Sequence, residues 1–253
     1  MKNKLPYVLT KEQLLSILSV MDDVKTVMVT FLGTFLGLRI SEIVKLEWSD
    51  IDLIYGECRI RDAKNPNRFK TGYGQDRIVP INEMFLPVLK KWKLMNKEEK
   101  FVIPRDGPKI TKAEKSMIKR YQDKFHDCLK KVGLDEVDYY QRNERPRYKY
   151  HVHTLRHVCG TNLYRAGLDL YQIKEFLGHK EIKTTQIYCE LGKDDLKAAS
   201  HKAYAYPKSR IGVTTESSVL QMAPDKESLK LMNENLKMML KVKEVAYATQ
   251  QTI

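Results

Sequence analysis

The stretch His153-Thr154-Leu155-Arg156-His157, followed by Leu177-Gly178-His179 and then by Thr184-Thr185-Gln186-Ile187-Tyr188, gathers a guanidinium, several imidazoles and a phenol into one short segment. Such a set suits a hydroxyl attacking a phosphate diester. A guanidinium offers forked donors that match phosphate oxygens. A phenol has an ordinary pKa of about 10, so it needs a cationic pocket and a base before it attacks. The pattern predicts a helix from His153 to about Ala166, closed by Gly167. Asp169 caps a shorter helix carrying Ile173, Phe176 and Leu177, which Gly178 ends. Thr184 or Thr185 begins a last short segment with Tyr188. Taken singly, each residue has an ordinary alternative. Arg156 and His157 could be a helix's polar face, His179 a capping residue and Tyr188 a core tyrosine.

Upstream, Thr10-Lys11-Glu12-Gln13 reads as a capping box opening a helix with Leu14, Leu15, Ile17, Leu18 and Met21 on one face. The next helix, about Val24 to Leu38, is apolar nearly all round and belongs in the core. A further helix carries Glu42, Ile43 and Leu46 toward Trp48. Arg39 follows the most buried helix, so it must be paired or face a bound anion. Glu42, three residues on, reaches the same helix face. A structural Arg39–Glu42 pair and an anion site are both open on this stretch alone.

Asp50 to Asp52 read as a turn, and Glu57–Arg61 and Gln75–Ile81 as strands, the second with Pro80 as an edge strand tolerates. The turn-rich, basic connection between them carries Lys70, a surface charge unless it faces a substrate. Asn82 looks like the N-cap of a helix to about Met95, with Pro87 awkward inside it. Phe101–Pro104 is a short apolar segment. Thr111 begins a long amphipathic helix ending near Gly133. Residues 134–150 read as a loop interleaving Tyr139, Tyr140, Arg142, Arg145, Arg147, Tyr148, Lys149 and Tyr150. It is either a DNA-contacting loop or a plain surface one. Asp194 or Asp195 caps a helix toward Tyr206. Residues 207–225 form a linker, and residues 226–253 hold a charged helical tail, either an interaction or oligomerisation helix or a loosely docked one.

The 253 residues carry 45 Lys plus Arg against 32 Asp plus Glu, a formal charge of +13, which favours a polyanion partner over a neutral one. The longest apolar run, Val27 to Leu38, falls short of the roughly 17–25 residues of a membrane helix. Four cysteines without a C-x-x-C pair predict free thiols in a reducing, cytoplasmic or nucleoid-associated setting. Metal-spaced acidic clusters are absent from the sequence, which disfavours a two-metal nuclease and requires no cofactor.

Gly37-Leu38-Arg39-Ile40-Ser41-Glu42, then Lys70-Thr71-Gly72 before Ile78-Val79-Pro80-Ile81, then the three motifs of the opening stretch, occur in this order. Together they resemble the catalytic domain of the tyrosine recombinase family of phage integrases and Xer-like proteins, over about residues 10–206. The resemblance implies a mainly α fold with a small antiparallel β-sheet and one catalytic domain over residues 1–206, with no core-binding domain recognised ahead of it. It implies Tyr188 as nucleophile, forming a 3′-phosphotyrosyl link. Arg39 and Arg156 would bind the non-bridging oxygens, and Lys70 would protonate the leaving 5′-oxygen. His153 would assist proton transfer at the tyrosine, His179 would support the phosphate, and Glu42 would buttress Arg39. Arg142, Arg145, Arg147 and Lys149 are further candidates for DNA contact.

The expected function is site-specific recombination or integration through a Holliday junction, as in mobile elements. The expected partners are double-stranded DNA, a homotetramer and an accessory protein or second recombinase on the DNA. Two other readings stand beside it: a DNA-binding regulatory or partner protein of this fold that does not recombine alone, and a type IB topoisomerase-like relaxase.

Overall fold

The computed structural model describes residues 5–61, 76–105, 110–141 and 143–191. Lys70, Arg142, the predicted helix after Asp194, the linker and the tail lie outside the described residues.

Helix α1 (Lys11–Ser19) opens on the expected capping box, in which the Gln13 N–H donates to Thr10 Oγ1 at 3.2 Å and the Thr10 N–H to Gln13 Oε1 at 2.9 Å. Asp23 caps α2 (Val24–Phe35), whose residues Thr26 to Gly33 are all buried. A helix apolar on every side is stable only when surrounded. Here α2 packs against the long helix α5 (Ile110–Lys131), against α3 (Ile40–Ile43) and, most extensively, against α6 (Val152–Arg165). The chain leaves α2 at Leu36, earlier than the apolar run suggests, and α3 is a single turn rather than a helix reaching Trp48.

The residues read as a turn at Asp50 contribute a third strand. A 3₁₀ turn at Trp48–Asp50 leads into β1 (Ile51–Asp52), which pairs antiparallel with β2 (Glu57–Ile60), which pairs with β3 (Arg77–Pro80). Cys58 and Ile60 of β2 and Val79 of β3 point into the core. Pro80 sits on an edge strand, where its missing N–H is harmless. Helix α4 (Leu86–Met95) starts four residues after Asn82, because Pro87 is accommodated only in a first turn. Asn82 instead makes the preceding turn, with its Oδ1 accepting from the Met84 N–H at 2.8 Å. The Phe101 segment pairs with Glu47 as a lone bridge, and the indole of Trp92 donates to the Val102 carbonyl at 2.7 Å.

Residues 134–150 are not a loop but a two-stranded hairpin, β4 (Val137–Tyr140) with β5 (Pro146–Tyr148). It docks through Tyr148 on His126 of α5 and through Tyr7, whose hydroxyl donates to Asp138 at 3.1 Å. Helix α7 (Leu170–Leu177) has the expected ends. Asp169 accepts from the N–H groups of Tyr171 and Gln172, both at 2.8 Å, and Gly178 takes the left-handed conformation at φ 66°. The predicted last segment is two short helices, α8 (Ile182–Thr185) and α9 (Ile187–Leu191). Most apolar residues form one core, while Cys159, Ile173, Leu177 and Tyr188 form a second, smaller cluster at the α6–α7–α9 junction. Among the described residues no helix is long and apolar enough to cross a membrane.

Candidate active site

The site is built on the ends of two helices. Arg39 is the residue before α3, and Glu42 lies in that helix's first turn. One Glu42 oxygen accepts from the Arg39 backbone N–H and the other from Arg39 Nη1, both at 2.8 Å. Arg77, arriving on β3, closes on the same carboxylate with two bonds, Nη1 to Oε1 at 3.2 Å and Nη2 to Oε2 at 3.0 Å. Arg156 of α6 comes within 4.0 Å of Oε2. One acidic group thus faces three guanidiniums.

The C-terminus of α7 supplies the rest of the restraint. The last carbonyls of a helix lack intrahelical partners and carry the negative end of its dipole. Three successive carbonyls are used here, one for each arginine. Phe176 accepts from Arg77 Nε at 3.1 Å, Leu177 from Arg156 Nη2, and Gly178 from Arg39 Nη2 at 3.4 Å. Arg156 Nη1 also donates to the Gly37 carbonyl at 2.6 Å. Arg156 is 1% exposed, whereas the Arg39 side chain keeps 28% exposure and is the more open of the two. Burial alone would raise the Glu42 carboxyl, but the hydrogen bonds and charge of Arg77, helped by Arg39, outweigh it and hold it at about 2. Burial and then the charge of Arg39 push Arg156 down to about 10.

Tyr188 lies against this cluster, 1% exposed. Its ring rests on the backbone of α6 at Gly160. A Cβ there would stand 2.3 to 2.7 Å from three ring carbons, so no larger residue fits while the tyrosine holds this position. His179 stacks on the other side, ring centroids 6.2 Å apart and planes 11° off parallel, and its Nδ1 lies 2.9 Å from Thr185 Oγ1. Burial raises the Tyr188 hydroxyl to about 12, partly opposed by Arg156. Burial, then the charges of Arg156 and Arg39, lower His179 to about 3, so its ring is neutral.

The imidazole in contact with the Tyr188 hydroxyl is His157, whose Nδ1 is 3.5 Å away. His153, one helical turn earlier and exposed, meets His157 edge to face at 5.0 Å between centroids. Six residues of the expected site (Arg39, Glu42, His153, Arg156, His179 and Tyr188) therefore converge. Arg145 and Arg147 are exposed on the β4–β5 hairpin, while Lys149 is engaged by Glu136 and lies over the Tyr7 ring.

Two participants carried no role in the sequence reading. Arg77 shares a strand face with Val79, so once Val79 is taken as buried, alternation turns Arg77 inward. The neighbouring Ile78, an equally good core residue by type, hides that choice and is itself 62% exposed. His157 lies four residues after His153, on the same helix face, and that spacing was legible.

The fold and this cluster set a buried tyrosine beside a cluster of guanidiniums that share one carboxylate. The phage integrase family model matches residues 7–194, and the chain belongs to that family. Tyrosine recombinase XerA of Pyrococcus horikoshii is 29% identical over 205 residues, covering 79% of this chain and 62% of the relative. XerA of Saccharolobus solfataricus is 31% identical over 178 residues, covering 69% and 48%. The chain therefore spans about three-fifths or less of the length of these curated relatives. Among solved structures, XerA recombinase superposes with a TM-score of 0.58 at 20% identity, covering 80% of this chain and 67% of the other. XerH recombinase bound to palindromic difH substrate, a post-cleavage complex, gives 0.53 at 24% identity, covering 79% and 54%. These likenesses agree with a mainly helical catalytic fold carrying small antiparallel sheets.

Proposed function

We propose that this chain cuts and rejoins double-stranded DNA at specific sites through a 3′-phosphotyrosyl intermediate on Tyr188. The observation that carries the reading is the placing of Tyr188 within the field of Arg156 and Arg39, two guanidiniums held by Glu42 and backbone carbonyls, of which Arg39 stays partly exposed. A phosphodiester repels nucleophiles and gains charge as it becomes five-coordinate. Donors already fixed where that charge develops supply the largest catalytic contribution. Arg39 and Arg156 would take the non-bridging oxygens, while His179, neutral and oriented by Thr185, would donate a further hydrogen bond. Lys70 would protonate the departing 5′-oxygen. Because the covalent link retains the energy of the broken bond, religation needs no nucleotide cofactor.

The names of the relatives, all tyrosine recombinases, support exchange between sites over simple relaxation. The charge of +13 and the exposed Arg145 and Arg147 support duplex binding. Each chain carries one nucleophile, and exchanging two duplexes takes four cleavages, so the working assembly would be a tetramer on DNA. Residues 1–206 would be the catalytic unit and residues 226–253 an interaction tail.

Incubation with a pool of nicked suicide duplexes tests the proposal. A denaturant-resistant adduct through the 3′-phosphate of one strand, with release of a strand that carries a free 5′-hydroxyl, is expected. Binding without any adduct contradicts it and favours the DNA-binding reading, and relaxation of supercoils without exchange between matched sites favours the topoisomerase-like one.

A further inference from the structure

We propose that Arg77 is a positioning residue for the scissile phosphate: it occupies Glu42, so that Arg39 and Arg156 keep their charge for the substrate. This assignment rests on the strand-transfer reading above. Arg77 Nη1 and Nη2 close on the two oxygens of Glu42 at 3.2 and 3.0 Å, and Nε donates to the Phe176 carbonyl at 3.1 Å. All three nitrogens are engaged inside the protein, and the side chain is 12% exposed. Such a guanidinium has no fork left to present to a phosphate. Arg39 is the more open of the two, at 28%.

The place suits a guanidinium and not an ammonium. A planar fork spans both carboxylate oxygens while Nε reaches a third acceptor, a geometry that a point charge on a flexible stem does not reproduce. The approach is also close. At the end of α7, a Cβ on Gly178 would stand 2.8 to 3.1 Å from Arg77 Nη1, Cδ and Cζ. This glycine therefore meets two needs, a left-handed φ of 66° and room for Arg77. Through Phe176, Arg77 ties β3 to the helix end that leads into His179. Through Glu42 it ties β3 to the start of α3, where Arg39 stands.

Three guanidiniums share one carboxylate in this cluster, which leaves two positive charges uncompensated. A phosphodiester moves from one negative charge toward two as it becomes five-coordinate, and fixed charge of that size is placed to stabilise it. Without Arg77, Glu42 would cancel one of the two charges available to the phosphate. Burial works against an ionised Glu42, and Arg77, through its hydrogen bonds and its charge, is first among the forces that hold the carboxyl at about 2. Glu42 thus stays a fixed anchor for Arg39 without neutralising it.

The test uses the suicide duplex that the wild type cleaves and the same duplex with a methylphosphonate at the scissile position, which lacks the charge of the phosphate. In a Tyr188→Phe background, which cannot cleave, competition between the two duplexes reads the charge of the site apart from overall affinity. Arg77→Met keeps the bulk of the stem and is expected to cut the preference for the charged duplex about tenfold. Arg77→Lys restores the charge but not the fork, and is expected to restore the preference. With Tyr188 present, Arg77→Met should slow single-turnover adduct formation by about 10²-fold, and Arg77→Lys should recover part of that rate. Absence of any preference in the Tyr188→Phe protein, an unchanged preference in Arg77→Met, a fall that Arg77→Lys does not reverse, or a wild-type rate in either variant would each overturn the assignment. Where Arg77→Met does not fold, Arg77→Lys carries the test alone: a kept preference with a slower rate supports the role, and a lost preference or a wild-type rate overturns it. Failure of the wild type to form an adduct on any duplex would instead refute the strand-transfer reading, and this role with it.

Discussion

The two halves of the site are held by different forces. The arginine half is a network of charge-assisted bonds: Glu42 binds Arg39 and Arg77 directly, and three carbonyls of α7 fix all three guanidiniums. The tyrosine half is held by packing. The Tyr188 ring lies between Gly160 and His179, and among the described residues its hydroxyl has one loose hydrogen-bond contact. The first half is charged and assembled before any anion arrives. The second is uncharged, with the phenol raised and the imidazoles lowered. On the proposed function, this arrangement would separate binding of a phosphate from attack on it and keep the nucleophile out of water until the phosphate is in place.

That contrast can be broken from either side. The largest effect is expected from Arg156→Ala, which removes a preorganised donor and should slow adduct formation by about 10²–10³-fold or more, measured in single turnovers. A loss below tenfold would mean that Arg156 is structural. Glu42→Gln should act on stability. Taking away the partner of a buried charge costs about 3–5 kcal/mol, so denaturant unfolding should report a loss of that order, and an unchanged midpoint would show that the α7 carbonyls hold the arginines alone. Gly160→Ala tests the packed half. Its methyl group must displace the Tyr188 ring at about 1–3 kcal/mol. Adduct formation should fall while duplex affinity stays at the wild-type value.

A smaller effect is expected from pH. Glu42, at about 2 against an ordinary 4.5, stabilises the fold fully above pH 4.5 and loses that contribution as the pH falls toward 2. His157 and His179, at about 4 and about 3 against 6.5, are folded as neutral rings. Their contribution is complete above pH 6.5 and lost as the pH falls toward those values. The signs agree, so the melting temperature should decline steadily below pH 6.5. A rise on acidification would contradict the neutral imidazoles.

How much of this was legible depended on how local the physics was. Helix ends set by side chains three residues apart, as at Thr10 with Gln13 and Asp169 with Gln172, were readable because their bonds are local. Arg39 was readable because a charge beside a fully apolar helix demands a partner. The β4–β5 hairpin was not, because β4 and β5 bury no apolar face and interleave Tyr with Arg. Arg77 was hidden by the competition between Ile78 and Val79 for the inward position. The seat of Tyr188 on Gly160 was hidden because it depends on two helices meeting, a contact that leaves no spacing in the sequence.

The central claim, that the packed phenol at position 188 is the nucleophile for a phosphate held by the arginine cluster, has one direct test. The covalent DNA adduct is digested with trypsin and nuclease, and the modified peptide is sequenced by mass spectrometry. The phosphonucleotide is expected on the peptide of residues 184–193, at Tyr188. Its appearance on any other of the 14 tyrosines would contradict the account.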